Sequence, residues 1–185
     1  MSKQSFDDVL HEEHAKIYAL CLHLTGQPAE AEDLCQEAFV RAWRAWKSFE
    51  GRSEVSTWLY RIAVNAWRGR LRKNRILRFV GLFRGSSDGD APDPEAPEPA
   101  APAEALGRAM EEEERRRLLH AALAAMPVDQ REVLVLRDLE ERSYEELGAI
   151  LGVPIGTIKS RLNRARDTLR RRLAPALGLS EPTRS

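Results

Sequence analysis

The residues between 155 and 173 give the clearest indication of chemistry in the chain. This segment contains seven lysines and arginines and a single acid, Asp167. Its apolar residues recur at helical spacing, so the basic and polar side chains should share the opposite face of one helix. Lysine and arginine bind phosphates and guanine edges, asparagine pairs with adenine, and serine and threonine bond to either. The pattern therefore predicts a helix that reads DNA.

The predicted DNA-reading set combines the outward face of this helix with the serine that starts the preceding helix. Its members are Ser143, Thr157, Lys159, Ser160, Arg161, Asn163, Arg164 and Arg166. The positive end of the helix dipole adds a site for a phosphate. The alternative is a solvated basic face on a structural helix, and the residues before the helix favour the DNA interpretation.

Those preceding residues have the pattern of a helix-turn-helix. Ser143 and Glu146 fit a capping box that opens a short helix. Gly152 suits the tight turn that follows, and Pro154 suits the first turn of the next helix. Gly148 is expected where the two helices cross closely. Together these positions predict a short helix, a turn and then the DNA-reading helix.

A second basic stretch and an acidic segment complete the charge pattern. Residues 61–78 contain seven bases and no acid, whereas residues 86–102 contain five prolines, five acids and no base. Such an acidic, proline-rich segment has almost nothing apolar to bury, so it predicts a semi-extended linker. The formal net charge of zero results from this arrangement and not from a lack of basic patches.

The elements that position these residues are predicted to be helices throughout. The first helix is predicted over 6–24, and the second from after Pro28 to Trp46. A third helix follows the loop at 48–53, with Ser56 as its cap. Two more helices are predicted over 104–125 and over 129–139. No strand alternation is present. We therefore expect an all-α chain: two small helical domains at 1–80 and 105–175, the second a helix-turn-helix domain, a flexible acidic linker at 81–104 and a disordered tail at 176–185.

Composition limits the remaining possibilities. Hydrophobic residues make up 43% and charged residues 31% of the 185 residues, which is ordinary for a soluble helical protein. The two cysteines, Cys21 and Cys35, lack metal-ligand spacing, so reduced thiols in a cytoplasmic protein are expected, with a redox switch as the alternative. Exposed helical histidines explain His11 and His14 better than a metal site does. No catalytic motif is present, and no enzymatic activity, cofactor, metal or small-molecule substrate is predicted.

Three segments carry a resemblance to the extracytoplasmic-function sigma factors of bacterial RNA polymerase. The family's minus-35-reading domain is similar to RDLEERSYEELGAILGVPIGTIKSRLNRARDTLRRRL. Its polymerase-binding helix is similar to AEAEDLCQEAFVRAWRAWKSFEG, and its minus-10-reading helix to STWLYRIAVNAWRGRLRK. The resemblance covers residues 9–75 and 118–173, in the family's order.

The resemblance implies three functional surfaces and several partners. The helix that would bind the clamp coiled coil of core RNA polymerase carries Asp33, Gln36, Glu37, Phe39, Val40 and Trp43. The set that would bind the separated minus-10 strand is Phe49, Arg52, Ser53, Arg61, Asn65, Arg68, Arg70, Arg72 and Lys73. Promoter DNA and an anti-sigma factor are the other implied partners, and the anti-sigma factor could hold the chain at the membrane. The linker would thread toward the polymerase active-site cleft, or act only as a tether.

Alternatives remain for single residues and for the whole chain. Phe39 or Trp43 can instead be core, and Trp58 is expected to be core and not a melting wedge. A regulator that binds DNA alone would leave the amino-terminal segments unexplained. A helical adaptor that binds only proteins would leave the basic face at 159–166 unexplained.

Overall fold

The structure, a computed structural model, describes residues 5–82 and 103–176. Every regular element in these two ranges is helical, which confirms the predicted all-α class. The elements are α1 (Phe6–Thr25), α2 (Pro28–Trp46), α3 (Val55–Leu82), α4 (Ala103–Ala124), α5 (Val128–Leu134), a π-helical turn (Val135–Leu139), α6 (Tyr144–Leu151) and α7 (Ile155–Leu173). Most of the predicted linker at 81–104 and of the predicted tail at 176–185 lies outside the described residues.

Local capping signals set the bounds of the first two helices. The Ser5 hydroxyl accepts from the Asp8 backbone N–H at 3.2 Å, and the Asp8 carboxylate accepts from the Ser5 N–H at 3.2 Å. Gly26 ends α1 in the left-handed conformation at φ 78°. Pro28 is the first residue of α2, where its missing N–H is not needed.

The third helix differs from its prediction at its start. The Trp58 N–H donates to the Glu54 carbonyl at 3.1 Å, so helical bonding begins before Ser56. Ser56 therefore lies inside the first turn of α3, and its prediction as the cap was wrong. The helix also continues through Leu82, which places the mixed apolar and basic residues from Ile76 onward on its last turns.

The segment predicted as one helix at 129–139 is two elements. After Leu134 the backbone widens into the π-helical turn, in which the Glu140 N–H donates to the Val135 carbonyl at 2.9 Å. Glu141 follows with φ 53°, a left-handed conformation that L residues rarely adopt. Such widened turns are often functional, and this one carries Glu140 to a position where it contacts the amino-terminal helices.

One continuous core joins the two halves. Buried residues of α1, α2 and α3 form a single cluster with buried residues of the last four helices. Helix α3 packs on α6, and α1 contacts both α4 and the π-helical turn. The predicted domain bounds remain predictions, but the two helical halves lie against each other in this conformation.

Candidate nucleic-acid interface

The helix-turn-helix forms as predicted from its local signals. The Ser143 hydroxyl accepts from the Glu146 N–H at 3.1 Å, and the Glu146 carboxylate accepts from the Ser143 N–H at 2.8 Å. Gly152 ends α6 at φ 69°, a conformation that glycine adopts without strain. Gly148 does face the turn, but a methyl group there would lie 3.6 Å from the Val153 carbonyl, an ordinary contact. A glycine is therefore not required at position 148.

Helix α7 has the two faces that its sequence predicts. Ile158, Leu162 and Ala165 are buried against the rest of the protein. Most of the predicted DNA-reading residues are exposed on the opposite face: Lys159, Ser160, Asn163, Arg164 and Arg166. Thr157 and Arg161 are half-buried, and Ser143 is occupied as the helix cap.

Some of these polar side chains already have partners within the chain. Arg166 makes two hydrogen bonds to Asp138, at 2.9 and 2.6 Å, and these raise the pKa of Arg166. The Lys159 ammonium lies 5.5 Å from the centre of the Tyr144 ring. The Ser160 hydroxyl donates to the Thr157 carbonyl at 2.9 Å. The Arg166–Asp138 ion pair lies at the surface. Such a pair contributes little to the free energy of unfolding, so Arg166 can exchange Asp138 for a DNA phosphate.

The predicted minus-10 loop forms an aromatic cleft at the start of α3. The Phe49 ring lies 4.8 Å from the Trp58 ring and 5.6 Å from the Trp46 ring, measured between centroids. Trp58 is 8% exposed, which confirms that it belongs to the core, and it also lines the cleft. The cleft residues are Ser48, Phe49, Glu50, Arg52, Ser53, Trp58, Arg61 and Ala149. Ala149 belongs to α6, so the carboxyl-terminal half supplies one wall.

The basic and polar residues predicted to bind DNA on α3 divide into an exposed group and a group that is paired within the chain. Arg61, Asn65, Arg72 and Lys73 are exposed along the helix. Arg70 instead turns toward α2, where it donates to the Glu37 carboxylate and to the Asp33 carbonyl, both at 2.7 Å.

Arg68 is also occupied, by a carboxylate from the other half of the chain. Its guanidinium donates to both oxygens of Glu132, at 2.8 and 2.6 Å. Arg68 and Arg70 were predicted to bind phosphates, and in this conformation both are paired with carboxylates of the same chain.

The predicted polymerase-binding face of α2 is partly apolar and open. Trp43 is 65% exposed and Val40 is 47% exposed, whereas Phe39 is 7% exposed and belongs to the core. Asp33 and Gln36 are exposed beside them.

Glu37 is the charged centre of this face. Partial burial acts to raise the pKa of Glu37, but hydrogen bonds and charges from Arg70 and Arg41 outweigh it, so the pKa is lowered. Glu37 is paired with Arg41 and Arg70 within the chain, and the exposed Asp33 adds an acid to the same helix as the exposed Trp43.

Buried polar residues between the halves were not predicted from the sequence. The Tyr60 hydroxyl donates to Glu140 at 2.8 Å, and Nδ1 of His23 lies 2.8 Å from the other oxygen of the same carboxylate. Arg131 is 8% exposed and donates to the Leu24 carbonyl at the end of α1, at 3.1 Å. Burial lowers the pKa of Arg131. No local pattern identifies these residues, because each partner lies far away in the sequence.

The two cysteines lie side by side in the core. Both are free thiols on neighbouring helices, and the hydrogen bond with Cys35, together with burial, raises the pKa of Cys21. A thiol held neutral in this way is a poor nucleophile.

The described part of the chain shows neither a metal cluster nor a membrane span. Residues 5–82 and 103–176 contain no group of three or more His, Cys, Asp or Glu side chains placed to hold a metal ion. None of the helices in these ranges combines the length and the apolar character that a bilayer crossing requires.

Comparisons with known proteins agree in both halves. Residues 9–76 match the family profile described as Sigma-70 region 2, and residues 116–169 match Sigma-70, region 4. The RNA polymerase sigma-H factor of Pseudomonas aeruginosa is 35% identical over 95% of this chain and 89% of its own length. The ECF RNA polymerase sigma factor SigW of Bacillus subtilis is 33% identical over 92% of this chain and 90% of its own length.

A solved structure shares the arrangement of the helices. The sigma factor RpoE of Bartonella quintana, solved in complex with the anti-sigma factor NepR, is 30% identical to this chain with a TM-score of 0.67. The alignment covers 91% of this chain and 96% of that one. The region 2 match accounts for the amino-terminal segments that a regulator binding DNA alone would leave unexplained.

Proposed function

Because this chain belongs to the extracytoplasmic-function sigma factors of bacterial RNA polymerase, we propose which of its surfaces bind core polymerase and the two promoter elements in promoter-specific initiation. Helix α2 binds core polymerase, the cleft and α3 read the minus-10 element, and α7 reads the minus-35 element. The observation that carries the proposal is the exposed basic face of α7 on a capped helix-turn-helix, within the region 4 match.

Core binding is assigned to the apolar and acidic face of α2. The exposed Trp43 and Val40 supply apolar area for a partner, and the exposed Asp33 supplies charge that is complementary to a basic helix. Glu37 would first have to exchange its ion pairs with Arg41 and Arg70. The clamp coiled coil of the polymerase is the proposed partner. Catalysis belongs to the polymerase, so the chain contributes recognition and no reactive group.

Minus-10 reading is assigned to the aromatic cleft. An unstacked base can lie against the Phe49 ring and offer its pairing edge to polar groups nearby. Arg61 lines the cleft, and Asn65 lies one helical turn further along α3, on the exposed side. Arg72 and Lys73 then follow as phosphate contacts.

Minus-35 reading is assigned to α7 in the major groove. Lys159, Asn163 and Arg164 are exposed and carry the groups that discriminate guanine and adenine edges. Ser160 and Arg166 are assigned to phosphate contacts that fix the register of the helix, for which Arg166 would exchange its ion pair with Asp138.

An anti-sigma factor is the proposed regulator, and the cytoplasm the proposed location. The solved relative from Bartonella quintana is a complex with the anti-sigma factor NepR, which supports this kind of partner. A membrane-bound anti-sigma factor would hold the chain at the membrane.

Site-specific photocrosslinking in the assembled holoenzyme tests the assignments. A photoreactive phenylalanine analogue in place of Trp43 should crosslink to the polymerase clamp, one in place of Asn163 to duplex DNA upstream, and one in place of Asn65 to the melted strand. The same analogue at Glu114, on the exposed side of α4, is the control. Crosslinks to the wrong component would overturn the corresponding assignment.

A further inference from the structure

Two cations lie over the ring of Tyr144, the first residue of α6. The Lys159 ammonium of α7 is 5.5 Å from the ring centre, and the Arg137 guanidinium of the π-helical turn is 4.9 Å from it. A cation within about 6 Å of an aromatic centre is attracted by the negative face of the ring. Tyr144 therefore contacts Lys159, one of the residues to which base reading in the minus-35 element is assigned.

Tyr144 itself has little freedom to move. It directly follows Ser143, and the capping box between Ser143 and Glu146 fixes the backbone at this end of α6. The Tyr144 side chain is half-buried and packs against the hydrophobic core. A tyrosine has only two side-chain torsions, so holding its ring in one position costs little conformational entropy. The ring is thus a fixed surface beside a flexible lysine.

Arg137, the second cation over the ring, is also held in place. Its guanidinium donates to the Arg142 carbonyl at 2.7 Å, in a part-buried hydrogen bond. Because like charges repel, the anchored Arg137 disfavours positions of the Lys159 ammonium that are closer to the π-helical turn. The turn and the Tyr144 ring together restrict where the ammonium of Lys159 can lie.

The contact with the ring leaves Lys159 able to bind DNA. A lysine has a flexible four-carbon side chain, and much of its rotamer freedom is lost when the ammonium binds a base. A neighbour that holds the side chain before binding removes part of that cost. Lys159 remains exposed to solvent while its ammonium lies over the ring, so the N–H groups that point away from the ring are free to donate. Guanine offers two acceptors, O6 and N7, on its edge in the major groove.

We propose that Tyr144 is a positioning residue that orients Lys159 toward a guanine edge in the minus-35 element. The proposal rests on the proposed function, since it takes α7 as the helix that reads this element. The ring acts on Lys159 through the negative charge of its face. Without the ring, the ammonium can reach phosphates as well as bases, so the preference for guanine falls at the one base pair that Lys159 reads.

The test measures base preference with full-length variants assembled with core polymerase. Each base pair of the minus-35 element is substituted in turn, and competition titration gives the affinity of the holoenzyme for each promoter. Lys159→Ala identifies the base pair that Lys159 reads, because the preference for guanine is lost there.

Three changes at Tyr144 separate the ring face from the hydroxyl and from the volume of the side chain. Tyr144→Phe keeps the ring and removes the hydroxyl. Pentafluorophenylalanine in place of Tyr144 keeps the shape of the ring but reverses the charge of its face, and Tyr144→Leu removes the ring. Thermal unfolding checks that each variant is folded, and the fluorinated ring gives the answer even if Tyr144→Leu is unstable.

We expect Tyr144→Phe to keep the preference for guanine. The fluorinated ring and Tyr144→Leu should lower it about threefold, at the base pair read by Lys159 and at no other. In the Lys159→Ala background, the same changes should have no effect at that base pair.

Three results would overturn the proposal. If the fluorinated ring keeps the full preference, Tyr144 does not orient Lys159. An equal loss at every base pair would show a structural role for Tyr144, and an equal loss in Tyr144→Phe would show a contact made by its hydroxyl. The proposed function is tested separately: if Lys159→Ala loses no preference for guanine at any base pair, the assignment of Lys159 to base reading is wrong, and the role of Tyr144 fails with it.

Discussion

Replacing Trp43 with alanine should weaken binding to core polymerase without unfolding the chain. A tryptophan buries about 150–250 Å² when it is fully covered. Trp43 is 65% exposed, so on the order of 130 Å² is left for a partner to cover.

The expected loss of affinity follows from that area. At about 25 cal/mol per Å² the area corresponds to about 3 kcal/mol. Fixing the side chain on binding costs about 1 kcal/mol, which leaves about 2 kcal/mol. Trp43→Ala should therefore raise the dissociation constant about 30-fold.

Titration of labelled core polymerase with each variant measures this loss. Arg44→Ala is the matched control, because Arg44 is exposed on the same helix but points about 100° away from Trp43. The thermal unfolding midpoint of Trp43→Ala should stay near that of the wild type. An affinity within twofold of the wild type would refute the assignment of this face, and a large drop in stability would show that Trp43 is structural.

Three further predictions concern the helix-turn-helix and its support. Gly152→Ala should lower the free energy of unfolding by about 1–2 kcal/mol, because position 152 has φ 69°. Gly156→Ala, in open space on α7, should not lower it, and denaturant titration of both variants measures the difference. Equal losses would contradict the argument from the backbone conformation. Burial lowers the pKa of His120, so the folded state resists protonation there, and the free energy of unfolding should fall as the pH drops below the ordinary pKa of 6.5. Denaturant unfolding of His120→Gln at several pH values should show a weaker dependence of this free energy on pH. An unchanged dependence on pH would exclude His120 as the cause. Arg164→Ala should weaken promoter binding by the holoenzyme by about 1–3 kcal/mol. Arg166→Ala should weaken it by less, because Asp138 already pairs with Arg166. Gel-shift titration measures both losses, and the reverse order would contradict the assigned roles.

Local signals made most of the fold predictable. The two capping boxes at Ser5 and Ser143 and the turn glycines Gly26 and Gly152 each act within a few residues, so sequence alone indicates where the helices start and stop. The buried face of α7 follows from its helical period in the same way. The start of α3 was missed because Ser56 has a capping residue type but helical bonding already begins at Glu54.

Long-range polar contacts could not be predicted. The Arg68–Glu132 pair spans 64 residues, and the Tyr60–Glu140 pair spans 80. The local sequence does not distinguish a buried acid from a surface acid, so the burial of Glu132 could not be predicted. The π-helical turn that positions Glu140 also depends on tertiary packing and not on local propensity. The exposure of Lys159, Asn163 and Arg164 was predictable from the helical period, whereas the ion pairs of Arg68 and Arg161 with acids of α5 were not.

Run-off transcription with purified core RNA polymerase tests whether the chain directs promoter-specific initiation. A genomic promoter library is transcribed with and without this chain, and the start sites are mapped. We expect a discrete set of start sites that requires the chain, shares two upstream elements, and is lost when Lys159, Asn163 and Arg164 are all replaced by alanine. If the chain binds DNA but never directs core polymerase to a start site, it does not act as a sigma factor.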